Sequence, residues 1–252
     1  MWLSKPETGA RLRGRIEAVL DAGKAKGRRS GENPAAWRGH LAHLLPKRAS
    51  LSRGHHSAMD YREVPQFVAK LRELGSVSAM ALEFCILTAA RSGEVYGVKW
   101  AEIDLTTNVW TLPASRMKAG RQHRVPLSGR AVDILTTLAV LKTCDFAFPS
   151  PRGRNPLSHV AMAKVMRRLK IEGATVHGFR SAFRDWCGEA TSFPREVAEA
   201  ALAHTIGDKA EQAYRRGDAL EKRRAMMEAW AKWCGSKKAD NVLPFAKVDG
   251  HG

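Results

Sequence analysis

Residues 76–90, SVSAMALEFCILTAA, form a fifteen-residue run in which Glu83 is the single charge, and this stretch limits the fold more than any other. Its small and branched apolar residues fall on every side of a helix, so the helix belongs inside a core rather than on a surface. Arg91 follows at once, and a guanidinium leaving a core must be paired or must line a cleft. Glu94 is its expected partner. On these residues alone, a purely structural Arg–Glu pair and a cleft-lining arginine remain equally open.

Around this run the periodicity is helical almost throughout. Helices are predicted over residues 4–26, 61–74, 128–142, 158–170, 176–190, 194–204, 208–216 and 218–234, with caps expected at Ser4, Ser128, Ser158, Asp208 and Asp218. The period changes once. Residues 109–112 and 124–127 read as strands joined by a turn at Ala119-Gly120, so a small antiparallel sheet sits within a helical protein. The fold class is therefore mainly α with a small antiparallel β-sheet. The Gly-, Pro- and Arg-rich stretch ending near His56 reads as an irregular connection. It divides the chain into a small helical segment, 1–56, a main domain, 57–234, and a polar tail, 235–252, expected to be disordered.

Charge narrows the partners. The 252 residues carry 42 Lys and Arg against 25 Asp and Glu, a net +17 with a pI near 10.2, which calls for a polyanion, with double-stranded DNA first. Residues 1–56 alone hold 12 basic against 4 acidic side chains, 12 − 4 = +8. No apolar run approaches the roughly 20 residues of a membrane span, and the N-terminus has no signal-peptide pattern. A cytoplasmic, nucleoid-associated protein without a membrane partner is expected. The four cysteines, Cys85, Cys144, Cys187 and Cys234, are too scattered for a disulfide framework or a zinc module, and His55-His56 reads as an exposed linker pair. With no carboxylate or Cys/His grouping of ligand spacing, neither metal nor cofactor is predicted.

Several polar residues stand out singly. His177 and Arg180 in VHGFRSAF share a helix face and could hold one anion, although a solvated pair is the usual reading. Lys118, in the strand turn, could reach across a cleft or be an ordinary hairpin lysine. Arg184 is assigned to a salt bridge or a DNA phosphate. Phe183, Trp186, Met227, Trp230 and Trp233 are read as core packing rather than base-stacking groups.

Taken in order, Arg91 and Glu94 in TAARSGEV, Lys118 in RMKAGRQHRVPLS, His177 and Arg180 in VHGFR, His204 in LAH and Tyr214 in EQAYRRGD resemble the motifs of the tyrosine recombinase or phage integrase family, in the prophage and genomic-island branch. The resemblance covers residues 57–234. It implies a tyrosine-recombinase catalytic fold preceded by a partial, N-terminally truncated core-binding segment. Residues 1–50 resemble only the latter part of the family's core-binding domain, and the resemblance leads to the expectation that the arm-binding domain is missing. Ala203 occupies a position where the family's box commonly has Gly, and a helical backbone there would tolerate it.

The resemblance also implies roles. Arg91 and Arg180 would hold the non-bridging oxygens of a DNA phosphodiester, Lys118 would protonate the leaving 5′ oxygen, His177 would share in proton transfer, and His204 would donate to the phosphate. Tyr214 would attack the phosphorus and form a 3′-phosphotyrosine, with Glu94 supporting Arg91 and no metal required. Integration or excision of mobile DNA then implies attachment-site duplexes, a tetramer on DNA and DNA-bending accessory proteins. The last helix, 218–234, is a candidate for exchange between protomers. Two alternatives stand beside this reading: a non-catalytic DNA-binding remnant, and relaxation of supercoils in the manner of a type IB topoisomerase.

Overall fold

The computed structural model describes residues 1–46, 57–117, 119–204 and 219–236, and it divides into two compact units, Met1–His55 and His56–Gly252. In the first unit, helix α1 spans Pro6–Ala25. Its N-cap is Lys5 rather than the expected Ser4, and no side chain caps it. Pro6 at the first helical position supplies the fixed φ and lacks one of the N–H groups a cap would satisfy.

The irregular stretch after α1 is fastened back onto it. Asn33, buried, donates from Nδ2 to the Glu17 carbonyl (2.9 Å) and to Asp21 Oδ1 (2.7 Å), while its Oδ1 accepts from Ala35 N (2.9 Å). Trp2 stacks on Trp37 at 5.2 Å. Leu12, Ile16 and Val19 of α1 nevertheless remain exposed.

The second unit begins with α2 (Val64–Glu73), α3 (Val77–Thr88) and the short α4 (Ser92–Tyr96). As its composition requires, α3 is buried all round from Ala81 to Thr88. Its one charge, Glu83, is 2 % exposed and is neutralised from two sides: Arg72 donates from Nε at 2.7 Å, and Arg130 donates from Nε and Nη2 at 2.9 and 3.0 Å. A buried carboxylate is tolerable only with such pairing.

A three-stranded antiparallel sheet follows, in the order β1 (Ile103–Asp104), β2 (Val109–Leu112), β3 (His123–Pro126), with Trp110 opposite both Ile103 and Val125. Two strands match the expectation closely; β1, two residues long, carries no readable alternation.

Helices α5 (Gly129–Ala139), α6 (Ala161–Arg168), α7 (Gly178–Ala190), α8 (Arg195–Ala201) and α9 (Leu220–Cys234) complete the unit. Two expected caps differ. The Ser128 hydroxyl makes no cap bond, and the orphan N–H of Gly129 is taken instead by Glu228 Oε2 of α9 at 2.9 Å. Ser158 is not the cap of α6, which starts at Ala161 behind Val160. The residue ahead of α9 is Ala219, in the left-handed region at φ 50°, without a side-chain cap. Asp208, Asp218, the 208–216 helix and the tail beyond Ser236 lie outside the described residues.

The structure places α9 in the core of its own unit. Met226, Met227 and Trp230 are at most 1 % exposed. Trp230 Nε1 donates to the Ile86 carbonyl of α3 at 2.8 Å, and Arg223 Nη1 donates to the Arg124 carbonyl of β3 at 2.6 Å. Phe183, Trp186 and Trp230 pack on one another at 5.0–6.1 Å, and Trp233 is partly buried with Nε1 on the Tyr61 carbonyl. These aromatics are packing residues, as predicted.

Candidate active site

Helix α3 stops at Ala89, which turns left-handed at φ 48°, and the chain then runs extended through Arg91 into α4. This corner leaves Arg91 partly exposed. Its backbone N–H and its Nη1 each meet one oxygen of Glu94 at 2.8 Å, so the expected partner is the observed one, and the carboxylate fixes backbone and guanidinium together. Glu94 is held in turn through its carbonyl, which accepts from Arg116 Nη2; Nη1 of Arg116 bonds Glu102. Gly97 makes room for this contact: a Cβ there would stand 2.8 Å from Arg116 Nη2.

The second arginine enters from α7. His177 is the exposed N-cap residue of that helix, one turn ahead of Arg180, and between them Gly178 meets the start of the unit. A Cβ on Gly178 would lie 2.5 Å from the Ser57 carbonyl oxygen and 2.9 Å from Ala58 Cα, both backbone atoms. Only glycine fits. Thr175 N–H bonds the same Ser57 carbonyl at 3.0 Å.

Arg180 is 6 % exposed and makes its contacts inside the protein. Nη1 donates to the Ala89 carbonyl, Nη2 donates to the Leu202 carbonyl at 2.6 Å, and Nη2 also faces His204 Nε2 at 3.2 Å. Burial, reinforced by the like charge of Arg91, lowers its pKa to about 10, so it stays protonated at neutral pH. The structure thus gathers Arg91, Glu94, Arg180 and His204, drawn from three separate stretches of sequence.

His204 owes its place to the end of α8. The Ala203 N–H bonds the Ala200 carbonyl at 3.1 Å and the His204 N–H bonds the Glu199 carbonyl at 3.0 Å, with Ala203 left-handed at φ 49°. This pair of bonds is a Schellman motif. Ala203 therefore does not sit in a helical backbone, and the expected reason for tolerating it in place of Gly is wrong: the position is one that favours glycine. The turn directs the ring back along the helix, and Nδ1 comes within 2.6 Å of Glu199 Oε2.

Glu199 is buried, and its other oxygen accepts from Arg184 Nε at 2.7 Å. Although burial pushes its pKa upward, the hydrogen bonds from Arg184 and His204 hold it below the ordinary carboxylate value. Arg184 is thus in a salt bridge. Neither Glu199 nor Arg116 was read from the sequence, because an acid five residues before a histidine, or an arginine two before a lysine, matches no periodic signal.

Lys118 and Tyr214 lie outside the described residues. The other tyrosines are committed elsewhere. Tyr61 is 6 % exposed against Trp233, and Tyr96, 8 % exposed, accepts from Met162 N–H at 3.4 Å; burial raises both phenols. Burial also pushes the Cys85 and Cys187 thiols up to about 12, which removes both as nucleophiles near neutral pH.

Two arginines and an imidazole brought together, with Glu94 and Glu199 bonded to them, have the donor chemistry that suits an anion. Comparison with known proteins gives the family. The phage integrase family profile matches residues 57–221, and the phage integrase central domain profile matches residues 1–40. The chain belongs to the phage integrase family. It is 37 % identical over 174 residues to prophage integrase IntA of Escherichia coli (strain K12), covering 67 % of this chain and 42 % of that protein, and it spans about half the length of the curated relatives it matches. A lambda integrase dimer bound to a COC′ core site shares the fold with a TM-score of 0.57 at 20 % identity, over 82 % of this chain and 78 % of that one. A lambda integrase tetramer bound to a Holliday junction gives 0.56 at 18 %, over 82 % and 61 %.

Proposed function

We propose that the chain is a site-specific DNA recombinase that cleaves and rejoins duplex DNA through a 3′-phosphotyrosine, integrating or excising mobile DNA. The observation that carries this reading is Arg180: a guanidinium nine-tenths buried, facing His204 and within electrostatic reach of Arg91. A phosphodiester resists attack because it is already anionic, and charge grows on its equatorial oxygens as a nucleophile adds. Arg91 and Arg180 take those oxygens. Arg180 has spent three of its five donor protons on the protein, leaving Nε–H and one Nη1 proton for the substrate.

Tyr214 attacks the phosphorus as its phenolic proton leaves. The bond to the 5′ oxygen breaks with a proton supplied by Lys118, His177 assists the transfers, and His204 donates to the phosphate. Attack by a second 5′ hydroxyl reverses the steps and frees the tyrosine. The burial of Tyr61 and Tyr96 supports Tyr214 as the nucleophile. Family membership, with lambda integrase structures on a core site and on a Holliday junction among the fold's neighbours, supports attachment-site duplexes as substrate and a tetramer as the active assembly. Residues 1–56 would add DNA contacts, with bending proteins assisting at the nucleoid.

The test uses nicked duplexes carrying the attachment sequence, read from the direct repeat expected to flank the gene beside a tRNA gene. The wild-type chain forms a detergent-resistant protein–DNA adduct, undiminished by EDTA, and Tyr214→Phe forms none. An adduct that survives Tyr214→Phe, or one that needs magnesium, overturns the reading.

A further inference from the structure

Glu199 is the buried carboxylate that meets the imidazole of the site. Its surroundings fix what it can do. One oxygen is occupied by Arg184 Nε at 2.7 Å, with Arg195 Nε of the same helix at 3.9 Å, so the carboxylate is anchored and ionised. The other oxygen lies 2.6 Å from His204 Nδ1. An ionised carboxylate only accepts, so Nδ1 carries a proton. On the far side of the ring, Nε2 faces Arg180 Nη2 at 3.2 Å. A guanidinium only donates, so Nε2 is the acceptor and the ring is the neutral Nδ1–H tautomer.

We propose that Glu199 is the positioning residue for His204: it holds the Nδ1 proton and the plane of the ring, so that Nε2 is the nitrogen turned to the anion that Arg180 grips. The proposal rests on the reading of His204 as a phosphate ligand. A phosphate entering the site takes over the Arg180 donor and meets Nε2. For Nε2 to donate to it, the ring must gain a second proton, and it does so among cations: Arg180 and Arg184 on α7, Arg195 on α8 and, past Arg180, Arg91 with its partner Glu94. Glu199 is the one carboxylate in contact with the ring among the described residues, and so the one that balances that charge. A carboxylate behind an imidazole fixing its tautomer is a general device of catalytic histidines.

The experiment pairs cleavage with a spectroscopic readout. Glu199→Ala should slow single-turnover cleavage of the nicked duplex by about 10–100-fold with duplex affinity unchanged, and Glu199→Gln, whose amide oxygen can still accept the Nδ1 proton, should recover part of that loss. In ¹⁵N-histidine-labelled protein carrying Tyr214→Phe, His204 should show Nδ1–H with bare Nε2 when free and protons on both nitrogens when the duplex binds. Glu199→Gln should keep the free tautomer but not gain the second proton; Glu199→Ala should lose the tautomer as well. Wild-type cleavage by Glu199→Ala, or a His204 signature unaltered by either substitution, overturns the proposal. His204→Ala separates the two failures: slow beside a normal Glu199→Ala it sinks this proposal alone, and cleaving normally it sinks the reading of the histidine and the proposal together.

Discussion

Ala89 and Ala203 are small residues with a large say in the site. Both turn left-handed, at φ 48° and 49°, and each turn delivers a carbonyl to Arg180, from Ala89 itself and from Leu202 beside Ala203. An L-residue in this region costs roughly 1–2 kcal/mol, and glycine largely escapes that cost. Ala203 is only partly buried, so Ala203→Gly should raise unfolding stability by about 1 kcal/mol in urea titration. Ala89 is 1 % exposed, and there the loss of a buried methyl, about 0.8 kcal/mol, should cancel most of the gain. Arg91, Glu94, Arg180 and His204, which the structure brings together, stood out in the sequence because their chemistry is distinctive in order and type. Glu199 did not, since its contact with His204 exists only because Ala203 reverses the backbone.

At the scale of elements, the sequence announced the helices through their period but not the way they are capped. Serines at 128 and 158 stood in good positions, yet the Gly129 N–H is satisfied by Glu228, ninety-nine residues away, because α9 packs across the start of α5. A tertiary contact replaced a local one, and no window of sequence contains it. β1 escaped for a related reason, being defined by its pairing with β2 rather than by alternation of its own two residues. The seating of α7 is the firmest junction to test. A methyl on Gly178 would run into the Ser57 and Ala58 backbone, so Gly178→Ala should destabilise the second unit by about 1–3 kcal/mol. It should also weaken cleavage, since the same shift displaces His177 and Arg180; thermal unfolding beside the adduct assay checks both.

For the whole molecule, under the proposed function the excess of +17 should govern encounter with DNA more than choice of site. If about six phosphates are neutralised, affinity for a random duplex should fall by roughly 10³-fold between about 50 and 200 mM salt. Fluorescence anisotropy across that range measures the slope, and a flat response would show that the basic residues do not lie on the DNA. Arg180 carries a consequence for how such experiments are designed. Because its guanidinium bridges the ends of α3 and α8, it acts as a keystone as well as a proposed phosphate ligand. Cutting it away would open the arch it closes, so an inactive but intact control is better made at the tyrosine, and a dead Arg180→Ala protein would speak to architecture as much as to chemistry.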